Sequence, residues 1–314
     1  MALSETVLPQ LGNRLFLTDG GIETSLIFLD GIDLPCFAAF DLLKSDDGTA
    51  RLKAYYVPYI AIAKRKHCGF ILESPTWRAS PDWAEKLGHT PETLAALNRR
   101  GIALMRELRA EHETADFPMV ISGCIGPRGD GYRADLLMSA EDAQAYHGPQ
   151  IEIYAQEGAQ MITAITMTYP DEAVGVARAA TKVGLPVAIS FTTETDGRLP
   201  SGHTLEDAIA TVDDTVSPPP AYYMVNCAHP SHFDTALMTG KPWLGRLAGI
   251  RANASVRSHA ELDNSSDLDA GDPADLARRY AALRRAVPTL NVFGGCCGTD
   301  HRHIDQISTS VGAP

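Results

Sequence analysis

The chain has 314 residues, 45% of them hydrophobic and 21% charged. These are ordinary globular values that exclude a disordered chain, a coiled coil and a collagen-like fibre, and the length suits one large core of the α/β-barrel kind. Lys and Arg total 27 against 39 Asp and Glu, a net charge of −12, which suits neither a nucleic-acid backbone nor an anionic membrane surface.

The opening MALSETVLPQLGNRLFLTDGG has no basic start followed by an apolar run and a small-residue cleavage site. No secretory leader is expected. No stretch approaches about 18 uninterrupted apolar residues, so no membrane span is expected either. The six cysteines (Cys36, Cys68, Cys124, Cys227, Cys296 and Cys297) are too sparse for a disulfide scaffold. The expected compartment is a reducing cytoplasm.

The first apolar run, 15–18, leads into Asp19-Gly20-Gly21. A helical pattern over 49–67 precedes a second run, 69–73, which ends in Glu73-Ser74-Pro75-Thr76-Trp77-Arg78. Thr90-Pro91 places a capping residue before proline at a helix start, and the pattern runs over 91–113. A third run, 119–123, precedes Cys124 and a helix over 140–157; a fourth, 161–166, ends at Thr166 before a helix over 171–183. The fifth, 186–191, leads into Thr192-Thr193-Glu194 and a helix over 205–216. The proline-rich 217–220 enters the sixth, 222–226, followed by Cys227-Ala228-His229. The seventh run, 247–251, precedes a polar stretch, 258–273, expected to be a long surface loop. A helix over 273–286, an eighth run over 290–293 and a helix over 301–308 complete the chain.

Continuous apolar runs such as Val187-Ala188-Ile189-Ser190-Phe191 have the look of buried parallel strands. Eight strand–helix units in about 300 residues predict an α/β fold, a single-domain (β/α)8 TIM barrel over 1–314, with an open doubly wound sheet as the other arrangement. In such a barrel chemistry collects at the C-terminal ends of the strands. There the sequence places Asp19, Glu73, Cys124, Thr166, Glu194, Asn226, Cys227, Cys296 and Cys297.

Cys227 follows the sixth strand, and Cys296 and Cys297 follow the eighth. Three thiolates suit a tetrahedral Zn2+ with one open position. The adjacent pair can act together only where the backbone turns sharply, a task for Gly294, Gly295 and Gly298 if they take positive φ. The competing reading is three buried, inert thiols. A thiol held by such a metal is deprotonated, and the fitting chemistry is alkyl transfer to that thiol. His229 fits a supporting or packing role, since a fourth protein ligand would close the site.

Asp19-Gly20-Gly21, Asn226-Cys227 and Gly294-Gly295-Cys296-Cys297-Gly298-Thr299 followed by His303-Ile304 resemble the homocysteine S-methyltransferase family. That family includes betaine–homocysteine methyltransferase and the homocysteine-binding part of cobalamin-dependent methionine synthase. The resemblance runs from about residue 15 to 307. It implies a (β/α)8 barrel, Zn2+ held by Cys227, Cys296 and Cys297, and homocysteine bound through sulfur. It implies methionine formation by direct displacement of a methyl group from an onium donor such as S-methylmethionine or S-adenosylmethionine. Asp19 would sit near the substrate ammonium, with Gly20 and Gly21 allowing close approach.

Two features depart from the family pattern. Thr166 stands where members usually carry a glutamate for the ammonium, so Asp19, Glu73 or Glu194 would have to compensate. After the second strand, Trp77 would offer a face to the onium methyl, and Arg78 replaces a neutral residue and would grip a donor carboxylate. The expected catalytic set is Asp19, Glu73 and Asn226, with Gly20, Gly21, Trp77, Arg78, Thr166 and Glu194 binding substrate. The expected partners are small molecules alone, with an oligomer left open. The alternatives are a methyltransferase for another thiol or selenol, or a non-catalytic thiol-binding barrel.

Overall fold

The computed structural model describes residues 8–312. Residues 1–7, where the leader reading starts, and 313–314, at the end of the expected domain, lie outside the described residues. The eight strands close into one parallel barrel in chain order, with β8 pairing to β1. They are β1 (Phe16–Leu17), β2 (Gly69–Glu73), β3 (Met119–Ile125), β4 (Met161–Met167), β5 (Val187–Phe191), β6 (Tyr222–Asn226), β7 (Leu247–Ala252) and β8 (Val292–Gly295). The helices that alternate with them are α1 (Asp46–Arg65), α2 (Pro91–His112), α3 (Ala140–Gln156), α4 (Pro170–Lys182), α5 (Leu205–Thr215), α6 (Pro230–Leu237), α7 (Pro273–Ala286) and α8 (His301–Gly312). The closed arrangement thus prevails over the open sheet.

Every strand residue is buried, which is why the strands read as unbroken apolar runs. Alternate side chains serve two cores. Ile71, Val120, Met161, Tyr222, Met224 and Val292 pack with one another inside the barrel. Phe70, Leu72, Ile121, Ile162 and Ile189 join the layer between strands and helices. The Thr90-Pro91 start behaves as its sequence implies, with Thr90 Oγ1 accepting from the Thr93 N–H at 3.3 Å.

Several elements differ from the sequence reading. Cys124 lies within β3 rather than past it. Helix α6, too short to show a periodicity, starts where His229 Nδ1 accepts from the Ser231 N–H. The polar stretch 258–273 is not only surface loop. It contains a short helix, His259–Asp263, opened by a Ser258–Glu261 capping box, and its side chains help wall the barrel mouth. Among the described residues no helix is long and apolar enough to cross a membrane.

Gly294 and Gly295 are strand residues, and only Gly298 of that turn has positive φ, at 79°. The first two are small for packing rather than for turning: a Cβ on Gly294 would run into the Thr18 hydroxyl. Gly294→Ala is therefore expected to cost about 1–3 kcal/mol of folding stability. Urea unfolding measures it, and unchanged stability would contradict this packing account.

Candidate metal and substrate site

The sulfur atoms of Cys227, Cys296 and Cys297 all lie within 4.8 Å of one another. Cys227 Sγ and Cys297 Sγ are 3.7 Å apart. Sulfurs at tetrahedral Zn–S distances of about 2.3 Å would be about 3.8 Å apart, so the spacing of this pair fits a shared zinc ion. Strand β7 holds the two cysteine loops in place. The Cys227 N–H donates to the Arg251 carbonyl at 3.1 Å and the Cys296 N–H to the Ala252 carbonyl at 2.9 Å.

Cys227 adopts a left-handed backbone, φ 57°, a conformation that a non-glycine residue keeps only where its surroundings fix it. Its carbonyl accepts from Asn253 Nδ2 at 3.0 Å, His259 Nε2 at 2.7 Å and Thr192 Oγ1 at 3.3 Å. Tyr132 stacks on His259 with ring centroids 3.9 Å apart. Its hydroxyl lies 3.3 Å from Cys227 Sγ and 3.5 Å from Cys297 Sγ. Burial, reinforced by the neighbouring thiols, pushes the Tyr132 phenol well up, so it stays a hydrogen-bond donor. Hydrogen bonds from Cys227 and Cys297, with a contribution from Arg251, hold the Cys296 thiol well below its ordinary range.

These sulfurs line a cavity of about 420 Å³ at the C-terminal end of the barrel. Asp19, Gly20, Gly21, Glu73, Trp77, Arg78 and Thr166 line it as well. The role expected of Asp19 meets an obstacle. Its Oδ1 accepts from Arg251 Nη2 at 2.7 Å and its Oδ2 from the Tyr55 hydroxyl at 3.0 Å. Burial pushes this carboxyl up, against the pull of Arg251 and Tyr55. Gly20 and Gly21 reach the cavity, but their smallness serves loop packing: a Cβ on Gly21 would lie 2.5 Å from the Cys296 carbonyl oxygen.

Two residues expected to touch substrate do not line the cavity. Asn226 is fully buried behind it. Its Oδ1 accepts from the Thr166 N–H and the Ser190 hydroxyl, at 2.8 and 2.7 Å, and its Nδ2 donates to Thr166 Oγ1 at 2.8 Å. It holds Thr166 at φ 63°, an unusual conformation for a β-branched residue. Its Nδ2 also lies 3.9 Å from Cys296 Sγ, so the amide braces both Thr166 and a sulfur of the cluster. Glu194 turns to His259 Nδ1 at 3.2 Å, and the other nitrogen of that ring donates to the Cys227 carbonyl.

The Arg78 guanidinium lies 4.7 Å from the Trp77 ring centroid and 4.0 Å from that of Trp83, so the face expected to receive an onium methyl already carries a cation. Phe28 and Phe37 add apolar wall nearby. Arg78 Nη1 donates to the Cys36 carbonyl, while its buried Nε has no partner among the described residues. Around the mouth stand Glu23, Asp130, Asp263, Asp267 and Asp269. Burial pushes the Glu23 carboxyl up to about 7. Cys124 shares the cavity wall but not the sulfur cluster, and burial raises its thiol well above the ordinary range. Burial lowers His229 to about 4, and the ring stays neutral.

The sequence reading missed Arg251, Tyr132, His259 and Glu23. Only Arg251 left a signal, a charge closing an otherwise apolar strand. Tyr132 comes from a loop and His259 from a five-residue helix, neither of which a periodicity reveals.

A closed (β/α)8 barrel with three converging thiols and a polar cavity at its C-terminal rim defines a barrel enzyme equipped to handle sulfur. The homocysteine S-methyltransferase family profile matches residues 16–311, and the chain belongs to that family of methyltransferases. The fold is similar to that of the Escherichia coli homocysteine methyltransferase MmuM. Its oxidised form superposes with a TM-score of 0.75 at 21% identity, covering 94% of this chain and 95% of that one. Its metallated form gives 0.72 at 21% identity, over 95% and 96%.

Glu73 supplies a test of the electrostatics. Burial pushes its carboxyl up from 4.5 to about 7, against the pull of Arg251. Below about pH 4.5 it is protonated whether the chain is folded or not; between 4.5 and 7 the folded chain keeps the proton longer. Its contribution to stability is therefore present at low pH and lost as pH rises through this window. Glu73→Gln should raise stability at pH 8 by up to about 3 kcal/mol and change little at pH 4. Denaturation at the two pH values measures this, and equal effects at both would contradict it.

Proposed function

We propose that the chain is a Zn2+-dependent thiol methyltransferase that transfers a methyl group from an onium donor, such as S-methylmethionine or S-adenosylmethionine, to homocysteine and releases methionine. The observation that carries this reading is the meeting of three cysteine sulfurs at the cavity. Cys227, Cys296 and Cys297 would hold the metal, which when bound supplies a Lewis-acidic corner that keeps an incoming thiol deprotonated at neutral pH.

The protein's own groups account for the rest. Tyr132 donates toward the sulfurs from one side, and Arg251 offsets negative charge from the other. The acidic mouth favours a cationic donor over an anionic one. Arg78, which has no carboxylate partner among the described residues, suits a carboxylate on that donor. Fixing both substrates in one cavity aligns acceptor sulfur, methyl carbon and leaving sulfur or nitrogen. The new S–CH3 bond forms as the old one breaks, and the donor departs neutral at its former onium centre. Three thiols that must remain reduced to act together suit the cytoplasm.

Cys297→Ser should reduce bound zinc from one ion per chain to a small fraction and lower methyl transfer at least about 100-fold, with the circular dichroism spectrum unchanged. Elemental analysis and methionine production measure both; full activity in a zinc-free variant would refute the reading. Arg78→Gln should raise KM for S-methylmethionine about 10- to 100-fold and leave KM for trimethylsulfonium unchanged. An equal change for both donors would remove Arg78 from carboxylate recognition.

A further inference from the structure

A buried carboxyl and a buried guanidinium line the cavity, each with one atom left without a partner among the described residues. These atoms are Oε2 of Glu73 and Nη1 of Arg251. Glu73 is 4% exposed and Arg251 5%. Among the described residues they do not pair with each other. The ion pair of Arg251 is with Asp19, through Nη2 at 2.7 Å, and its Nε donates to the Gly295 carbonyl at 3.2 Å. Asp19 stands at the end of β1, between β2 and β8, with both oxygens engaged. It fixes the guanidinium rather than offering itself to a ligand.

Leaving a carboxyl oxygen and a guanidinium nitrogen buried without a partner is costly, and a bound positive and a bound negative charge would satisfy them. One ligand that carries both charges a few ångströms apart would satisfy both. An α-amino acid is such a ligand: its ammonium brings three donors and its carboxylate accepts from a guanidinium. Arg251 also adjoins the sulfur cluster, because its carbonyl accepts the Cys227 N–H. A head group held there would leave the amino acid's side chain free to extend toward the sulfurs.

We propose that Glu73 and Arg251 form a clamp for a zwitterionic α-amino acid head, with Glu73 receiving the ammonium and Arg251 Nη1 the carboxylate. The inference rests on the thiol-acceptor reading above for its purpose, but the clamp is measurable without any methyl transfer. It moves the ammonium contact from Asp19 to Glu73 and gives Asp19 a positioning role.

The test is calorimetric titration of the purified protein with L-methionine, 3-(methylsulfanyl)propylamine, which lacks the carboxylate, and 4-(methylsulfanyl)butanoate, which lacks the ammonium. The wild type should bind methionine saturably, and each truncated analogue about 10- to 100-fold more weakly. Glu73→Gln should weaken methionine by the same factor and leave the butanoate unchanged. Arg251→Lys, which keeps a cation for Asp19, should weaken methionine and leave the propylamine unchanged. This crossed pattern is one that a merely structural role would not produce.

Equal binding of all three by the wild type, no saturable methionine binding, or uniform weakening by Glu73→Gln would overturn the clamp. So would a Glu73→Gln variant that is less stable but binds methionine normally, since Glu73 and Arg251 would then be an internal ion pair. The crossed pattern without methyl transfer to homocysteine would keep the clamp and refute the transferase reading. Transfer without the crossed pattern would do the reverse.

Discussion

The site depends on β7 as a strut between two cysteine loops. Its last carbonyls, those of Arg251 and Ala252, accept the N–H groups of Cys227 and Cys296. Residues about seventy apart in the chain are thereby fixed at sulfur-contact distance. Cys227 keeps its left-handed backbone because three donors converge on its carbonyl. Backbone strain of this kind persists where the surroundings over-determine it, and it clusters at functional sites. The barrel supplies those surroundings because its parallel strands end at one rim, and closure puts β6, β7 and β8 side by side there.

The same closure sets the charge of the cavity. Burial pulls the Arg251 pKa down, but Asp19, Glu73 and the Cys296 thiol around it outweigh that and keep it a cation with a raised pKa. Burial of Glu73 and Glu23 favours their neutral forms. A cavity holding several carboxyls beside a thiol cluster therefore has protonation states that a cationic ligand can shift. That property suits a site meant for ammonium and onium groups better than one for phosphates or neutral sugars.

Much of this architecture is legible in the sequence. Strands covered on both faces are continuous apolar runs, as in Val187-Ala188-Ile189-Ser190-Phe191, and Pro-started helices with Thr or Asp before them mark the units between. The cysteine trio stands out because Cys296 and Cys297 are adjacent between glycines and Cys227 directly follows a strand. What the sequence hides is pairing. Asp19 looks available until Arg251, 232 positions away, takes one of its oxygens. Asn226 looks like a reacting group at a strand end, yet its amide is tied to Thr166, Ser190 and the Cys296 sulfur. Glu194 sits at the correct rim but turns to His259, a residue in a stretch too polar to suggest a wall. Gly294 and Gly295 invite a turning role by type, whereas neighbouring side chains dictate their smallness.

The most direct measurement of the central claim is X-ray absorption at the zinc edge of the zinc-loaded protein, before and after homocysteine is added. The account predicts three sulfur scatterers at about 2.3 Å with one lighter neighbour, becoming four sulfurs with homocysteine. Fewer than three sulfurs at the start, or an unchanged shell after homocysteine, would contradict it.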